Sequence, residues 1–425
     1  MSLRPTTLDA ERVTRLALGA GVAIRVVYWL SKWNTPLGLN DSIYYGGQAS
    51  QLIRGRFFRE LFVDIPGAEH GPLTSILMAP FSFGDDRARW QRLVTLACGI
   101  TLVWVLSRLG ARLGGARLGA ITAVIAAVAP NLWMNDGLVM SESVSMLLAA
   151  TTVWLALIAS STWRRRDLVL LGVAAGLGAL ARSELVLLIP LVLVWLLICR
   201  RREGLPPWPA ALRVAVVAGL VLAPWVLFNL ARFERPVFLT TNDGTTLLGA
   251  NCPMSYTGTD RGGWALNCVV ADPDYRVDED RSVRSARQRS MAIEFVRDHT
   301  SEVPVVVMAR LGRTLDLYGL SNLVYQDVGE ERPRWAAWLG VLTFWVMAVL
   351  SVIGWRALPR RQRWLLTLPI LVTLCTTVLF YGGHRIRSSA EPSLVLLTAV
   401  AVHHLLASRR RRLPSHPVNS LEMRS

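Results

Sequence analysis

Lysine is almost missing from this chain: Lys32 is the only one in 425 residues, and the 46 basic residues are otherwise arginine. Charge as a whole is scarce, at 18% of residues against about a quarter in a soluble protein, while apolar residues make up 52%. That balance excludes an ordinary soluble enzyme and a disordered chain, and leaves a membrane protein. The net charge of +16 does not point to nucleic acid, because the arginines form short clusters between apolar runs instead of one contiguous basic face. Metal-ligand spacing, a glycine-rich phosphate loop and internal repeats are also missing. The first 12 residues have no cleavage-site pattern, and Arg25 inside the first apolar run is wrong for a signal peptide, so the first helix is expected to stay as an uncleaved anchor, which excludes secretion.

What is present is a series of apolar runs near 13–31, 88–108, 117–133, 141–160, 167–181, 184–199, 209–230, 335–355, 364–380 and 390–407. A crossing needs about 20 such residues, so the expected fold is an all-α polytopic membrane protein with about ten transmembrane helices. The run at 71–83 reaches only about 20 Å at 1.5 Å per residue and is expected to be re-entrant or interfacial. With that run not crossing, Arg108, Arg112 and Arg117, then Arg164–Arg166, Arg200–Arg202, Arg356, Arg360, Arg361, Arg363 and Arg409–Arg412 share the side of the amino terminus. Both termini are therefore expected in the cytoplasm.

The division that follows is an N-terminal transmembrane region, 1–230, with a first outer loop at 32–87; an extracytoplasmic cap loop at 231–334; C-terminal helices at 335–408; and a basic tail at 409–425. In the first loop, aromatic and aliphatic residues alternate with polar ones at helical spacing from Leu39 to Phe58, as expected of an interfacial helix holding Asp41 at the membrane surface. Cys252 and Cys268 fall in the cap, where two readings stand: a disulfide in an oxidising compartment, or two free thiols.

Charged groups at helix ends gather on the outer side: Asp41, Glu69 and His70; Asp136 and Glu142; Arg182 and Glu184; His384, Arg385 and Arg387. Positive-inside bias predicts few arginines there, so the three arginines call for an anionic partner, and their planar forks suit phosphate. Plainer readings stand beside this one. The arginines could meet headgroups or pair with Glu184 and Glu391, Asp41 could cap a helix, Glu142 could favour a helix dipole, and His70 could mark a turn. Asn242 and Asn251 fit contacts to sugar hydroxyls, though the turn T-N-D-G explains them equally.

The order of these pieces resembles the C-type integral-membrane glycosyltransferases, in the group of the protein O-mannosyltransferases and the lipid A aminoarabinose transferase (glycosyltransferase family 39-like). The pieces are N-D-S-I-Y-Y-G-G-Q-A-S-Q-L-I-R-G at 40–55, H-G-P-L at 70–73, M-S-E-S at 140–143, G-L-G-A-L-A-R-S-E at 176–184, T-N-D-G-T-T-L-L-G-A-N at 241–251 and Y-G-G-H-R-I-R-S-S-A-E-P at 381–392. Gly71, Ser183 and the run Ser388–Ala390 depart from prolines common in the group. The resemblance implies an enzyme that moves a hexose or pentose from a polyprenyl-phosphate carrier to an extracytoplasmic acceptor, with inversion. It places Asp41 at the reacting centre and matches Glu142 to a second acid. His70, Arg182, Arg385 and Arg387 are then expected at the donor phosphate, and Tyr45, Glu69, Glu184, Asn242, Asn251 and His384 at the substrates.

The chemistry suits that inventory. A phosphate is a good leaving group, so one carboxylate to take the acceptor's proton plus cations for the departing phosphate suffices, without a second protonating acid. No cofactor is required by the sequence, and a divalent cation is admitted. The partners expected are the lipid-linked donor, the acceptor and the bilayer, with no nucleic acid. A transporter or flippase, with midplane charges and related halves, and a non-catalytic scaffold are the alternatives.

Overall fold

The computed structural model describes residues 7–38, 41–84 and 86–412. Residues 413–425 of the basic tail and Asn40 of the N-D-S piece lie outside the described residues. The regular structure is helical. Among the described residues there is no sheet, only an isolated bridge between Arg59 and Pro66. Eight helical segments among the described residues, against the ten expected, are long and apolar enough to cross a membrane, which makes this an all-α multi-pass membrane protein.

Helix α1, Thr7–Ser31, carries one fully buried charge, Arg25. Its Nε lies 2.7 Å from Asp136 Oδ2, and its fork donates to the carbonyls of Ala126 and Ala127 at 3.3 and 3.2 Å. A charge is tolerated at this depth because it is paired.

Helix α2, Asp41–Leu52, forms where the interfacial helix was expected. It packs inward instead of lying free: Tyr45 and Ala49 join Met78, Leu138, Val139 and Met140 in a buried cluster. The 71–83 run becomes α3, Leu73–Met78, followed by a three-residue 3-10 turn at Ala79–Phe81. Together they rise about 15 Å, too short to cross.

The expected span 88–108 and most of 117–133 fall within one bent helix, α4, Arg87–Val128. Gly114 and Gly115 break it, and Gly115, at φ 80°, occupies the left-handed region that a side chain disfavours. The limbs fold back on each other, with Ser107 Oγ donating to the Gly119 carbonyl at 3.3 Å. Next come α5, Pro130–Trp133, α6, Glu142–Thr162, and α7, Arg165–Ala181, a 17-residue helix at the expected 167–181 span. Helices α8, Leu188–Arg202, and α9, Trp208–Leu230, complete this half.

Residues 231–334 fold as six short helices: α10, Asp243–Ala250; α11, Pro253–Tyr256; α12, Leu266–Val270; α13, Arg281–Asp298; α14, Val303–Thr314; and α15, Leu320–Gly329. Cys252 and Cys268 form a disulfide within this segment. It is tied down at both ends. Arg281 meets Glu60 at 3.4 Å, Arg232 donates to the Gly67 carbonyl at 2.8 Å, and Arg310 donates to the Val378 carbonyl at 2.8 Å.

The chain returns through α16, Arg334–Ala357, α17, Arg360–Leu379, the single turn α18, His384–Arg387, and α19, Glu391–Arg412. A continuous core of Leu, Val and Ala from α4, α6–α9, α16, α17 and α19 fills the bundle. Small residues let such helices approach closely, which is the packing rule of a lipid medium. The bundle has two unlike ends. Around Thr162, Arg361 pairs with Glu203 at 2.7 Å and Arg200 covers Trp163, so the arginine clusters at 164–166, 200–202 and 360–363 gather there. The opposite end of α6 is Glu142.

Candidate active site

Glu142 begins α6 and Asp41 begins α2, so both carboxylates sit where helix N-termini favour negative charge. Arg385, on α18, joins them. Its Nη2 lies 2.7 Å from Asp41 Oδ2, its Nε 2.7 Å from Glu142 Oε1, and its Nη1 3.1 Å from Glu330 Oε1. Arg182, between α7 and a 3-10 turn at Ser183–Leu187, bonds Glu142 at 3.2 Å and Glu184 at 2.5 Å. Arg332 closes the circle, 4.0 Å from Glu142 and 3.2 Å from Asp327, and it also grips Glu330.

His70 Nε2 stands 3.5 Å from Asp41 Oδ1, at ion-pair distance, with its ring stacked on Tyr45 at 4.9 Å. Burial alone would raise the Asp41 carboxyl, but Arg385 and His70 together hold it well below the usual carboxylate range. Burial opposes charge on His70, and Asp41 overcomes it, so the imidazole is raised above its ordinary value. Glu69 is pushed up by burial, with Glu60 and Asp41 adding to the effect against the pull of His70. The site therefore offers one firmly ionised carboxylate beside one that protonates more readily.

A cavity of about 790 Å³ opens over this cluster, lined by Asp41, Tyr45, Glu69, His70, Arg182, Glu184, Asn242, Tyr381 and Arg385. One wall is apolar: Val186, Leu187, Val237, Phe238, Leu379 and Phe380, with Phe238 63% and Leu379 58% exposed. A polar floor meeting a greasy, laterally exposed wall suits a ligand with an anionic head and an apolar tail.

One residue expected at the donor phosphate, Arg387, and two expected at the substrates, His384 and Asn251, face elsewhere. Arg387 is buried, bonded to Asp316 at 2.8 Å and Glu391 at 2.7 Å, with its guanidinium over Phe344. His384 is held between Asp316 and Asp327. Asn251 is buried in the cap, accepting from Tyr256 Oη at 3.1 Å and from Arg310 at 2.9 Å. A fork or ring on a single helical turn cannot point every residue the same way, and the inward positions go to packing. Conversely, Glu330 and Arg332 were not anticipated. Their signal was G-E-E-R at 329–332, a charge cluster immediately before an apolar span. Tyr381, Arg235 and Arg289 also line the cavity unanticipated.

Asp136 lies behind the site. It accepts from Ser143 Oγ at 2.6 Å, next in sequence to Glu142, and burial pushes its carboxyl up to about 6 against the pull of Arg25. Gly99 makes room for it, since a Cβ there would stand 2.0 Å from the Asp136 carboxylate.

Residues 70–228 match the dolichyl-phosphate-mannose-protein mannosyltransferase family. No curated protein matches the chain by sequence. Among solved structures, the archaeal oligosaccharyltransferase AglB from Archaeoglobus fulgidus, in complex with an inhibitory peptide and a dolichol-phosphate, superposes with a TM-score of 0.59 at 13% identity, covering 96% of this chain and 52% of that one. The chain has the C-type glycosyltransferase fold. The same oligosaccharyltransferase tethered to an acceptor peptide gives a TM-score of 0.59 at 15% identity, over 94% of this chain and 50% of that one. This chain thus spans about half the length of that C-type relative. ArnT from Cupriavidus metallidurans, bound to undecaprenyl phosphate, gives a TM-score of 0.44 at 15% identity, over 92% of this chain and 77% of that one.

A further structure of the Archaeoglobus enzyme is a complex with Zn and sulfate, with a TM-score of 0.57. In this chain the two acids of the cavity floor are already engaged. Arg385 binds both Asp41 and Glu142, and among the described residues no group of three His, Cys, Asp or Glu is placed to hold one.

Proposed function

We propose that this chain transfers a sugar from a polyprenyl-phosphate-linked donor to an acceptor outside the cytoplasm, with inversion at the anomeric carbon. The observation that carries the reading is the meeting of Asp41, Glu142 and Arg385 on the floor of a cavity whose side wall is apolar and exposed. The tail lies along Leu187, Phe238 and Leu379, and the phosphate reaches the polar floor. The matched mannosyltransferase family and the dolichol-phosphate held by the superposed oligosaccharyltransferase support the same donor class.

In the reaction the acceptor oxygen bonds to the anomeric carbon as the carbon–oxygen bond to phosphate breaks. The acceptor's proton passes to Asp41 Oδ1, which His70 faces only at 3.5 Å, whereas Oδ2 is held by Arg385 at 2.7 Å. Asp41 is a weak base, so the proton moves late, when the developing oxocarbenium charge has made the hydroxyl acidic. The electron pair leaves with the phosphate, which His70, Arg182 and Arg385 stabilise. Glu142 fixes the Arg385 fork, and Tyr45, Glu69, Glu184 and Asn242 line the path of the sugar or acceptor. Arg387 and His384 support these groups from behind, and Asn251 serves the cap. No step passes through a metal ion, since an ion between Asp41 and Glu142 would have to displace Arg385.

Orientation follows from the two unlike ends of the bundle. The arginine-rich end faces the cytoplasm with both termini, and the Glu142 end faces out. The 231–334 segment caps the site, and 1–230 and 335–408 form its membrane frame. An outward site requires a donor that has crossed on a lipid. The test is transfer of radiolabelled sugar from synthetic polyprenyl-phosphate donors in proteoliposomes, alongside mass spectrometry of envelope glycans from cells with and without the protein. No accumulating lipid-linked sugar and no missing glycan would overturn the reading.

A further inference from the structure

His384 precedes the residue that binds both candidate acids, yet its own ring points the other way. Its Nε2 lies 2.7 Å from Asp316 Oδ1 and its Nδ1 2.6 Å from Asp327 Oδ2. Both carboxylates are ionised by independent partners: Arg387 holds Asp316 Oδ2 at 2.8 Å, and Arg332 holds Asp327 Oδ1 at 3.2 Å. A carboxylate only accepts, so both ring nitrogens must donate, and only the doubly protonated imidazolium can do that. All the charged groups that face this ring are then matched. Asp316 and Asp327 come from the cap, and Arg332 follows α15. Arg387 and Glu391 come from the ring's own turn and α19.

The elements joined here are those that set Arg385. Asp327 and Glu330 lie three residues apart at the end of α15, one gripping His384 and the other Arg385, while Arg332 bridges the two acids. Two neighbouring residues of α18 are thus clasped by two neighbouring acids of the cap. Thr314, at the end of α14, adds further ties by accepting from Arg387 Nη1 at 2.8 Å and from the Gly383 N–H at 3.3 Å.

We propose that His384 is a positioning residue: as an imidazolium it locks the Asp327–Glu330 turn onto α18, which aims Arg385 at Asp41 and Glu142. This rests on the transferase reading above. Loss of the ring proton leaves one nitrogen facing a carboxylate lone pair and a buried negative charge unmatched, so the clasp loosens and Arg385 loses its fixed aim. The chain therefore carries a reversible alkaline limit on kcat that belongs to no group touching substrate.

The test uses the full chain in lipid nanodiscs, labelled with ring-15N histidine, with the His384 signals assigned by difference against His384→Gln. At neutral pH both ring nitrogens of His384 are expected at imidazolium positions, and a neutral tautomer there overturns the proposal. In transfer assays His384→Gln is expected to lower kcat by on the order of ten- to a hundredfold with the donor KM little changed, the cost of a misplaced reacting geometry. The alkaline fall in kcat that the parent still shows in a His70→Gln background should vanish when His384→Gln is added. A variant with lowered thermal stability but an unchanged kcat profile shows a merely structural histidine and overturns the proposal. Should His384→Gln not fold, Asp316→Asn serves instead, and its expected effect is an alkaline fall that begins at lower pH. If the parent transfers no sugar from any lipid donor, the transferase reading fails, while the ring-nitrogen signals still decide the clasp.

Discussion

Arg385 Nη2 and Asp41 Oδ2 lie 2.7 Å apart across 344 residues of sequence. The contact fixes one oxygen of Asp41, while the other, Oδ1, faces His70 Nε2 at the longer distance of 3.5 Å on the cavity floor. Asp41→Asn keeps the shape and removes the base. Transfer is expected to fall by about 10² to 10⁴, with binding of polyprenyl phosphate retained. Undiminished transfer in proteoliposomes would remove Asp41 from the reaction.

Arg385 divides its fork among three carboxylates, Asp41, Glu142 and Glu330. A lysine keeps the charge and loses the fork. Arg385→Lys is expected to reduce kcat by about a hundredfold, because point charge does not replace planar geometry and a small misplacement is costly. Steady-state kinetics would check this, and a variant as active as the parent would reduce Arg385 to a charge.

His70 and Asp41 make the site sensitive to pH in a definite direction. His70 is raised, so its share of stability is complete below the ordinary histidine value of 6.5 and is lost as pH climbs through the folded value. Asp41 is depressed, so its share is complete above the ordinary 3.8 and is lost as pH falls through the lower folded value. The pair is intact in mild acid and weakens first on the alkaline side. Affinity for polyprenyl phosphate is expected to decline as pH rises, and His70→Gln should flatten that decline in equilibrium binding measurements. A slope that survives the substitution assigns the effect to another group.

Arg25 and Asp136 are both fully buried and 2.7 Å apart. Removing one partner strands the other's charge, so Asp136→Ala is expected to cost about 3–5 kcal/mol of stability. Thermal unfolding in detergent measures this. Removing both partners together should cost less than the sum of the single changes, since neither then strands the other.

Chelators are expected to leave transfer intact, because Arg385 already binds the two acids that an ion would need. Activity lost with a chelator and restored by a divalent ion would show that Arg385 yields its place.

The helical, many-span architecture was legible in the sequence because a crossing is written as a run of apolar residues. So was the break at 71–83, since length alone decides what can cross. The burial of α2 was not legible. Its alternating pattern describes a helix with one wet face, and only the chain at 134–140 shows where that face docks. At the site, Asp41, Glu142, Arg182 and Arg385 stood out as charges at span ends. Glu330 did not, being one acid among many in a polar segment, and nothing local marks which one reaches Arg385. His384 and Arg387 were misjudged in direction because residue order along one helical turn does not say which side chain faces the cavity.

The residues of the floor come from α2, α6, the turn after α7, the end of α15 and α18. A nascent chain still on the ribosome, with every segment through α9 already inserted, holds Asp41 and Glu142 but has no guanidinium to bring them together. On the transferase reading proposed above, competence is acquired late in synthesis, and partly translated copies are expected to be inert toward a lipid-linked donor.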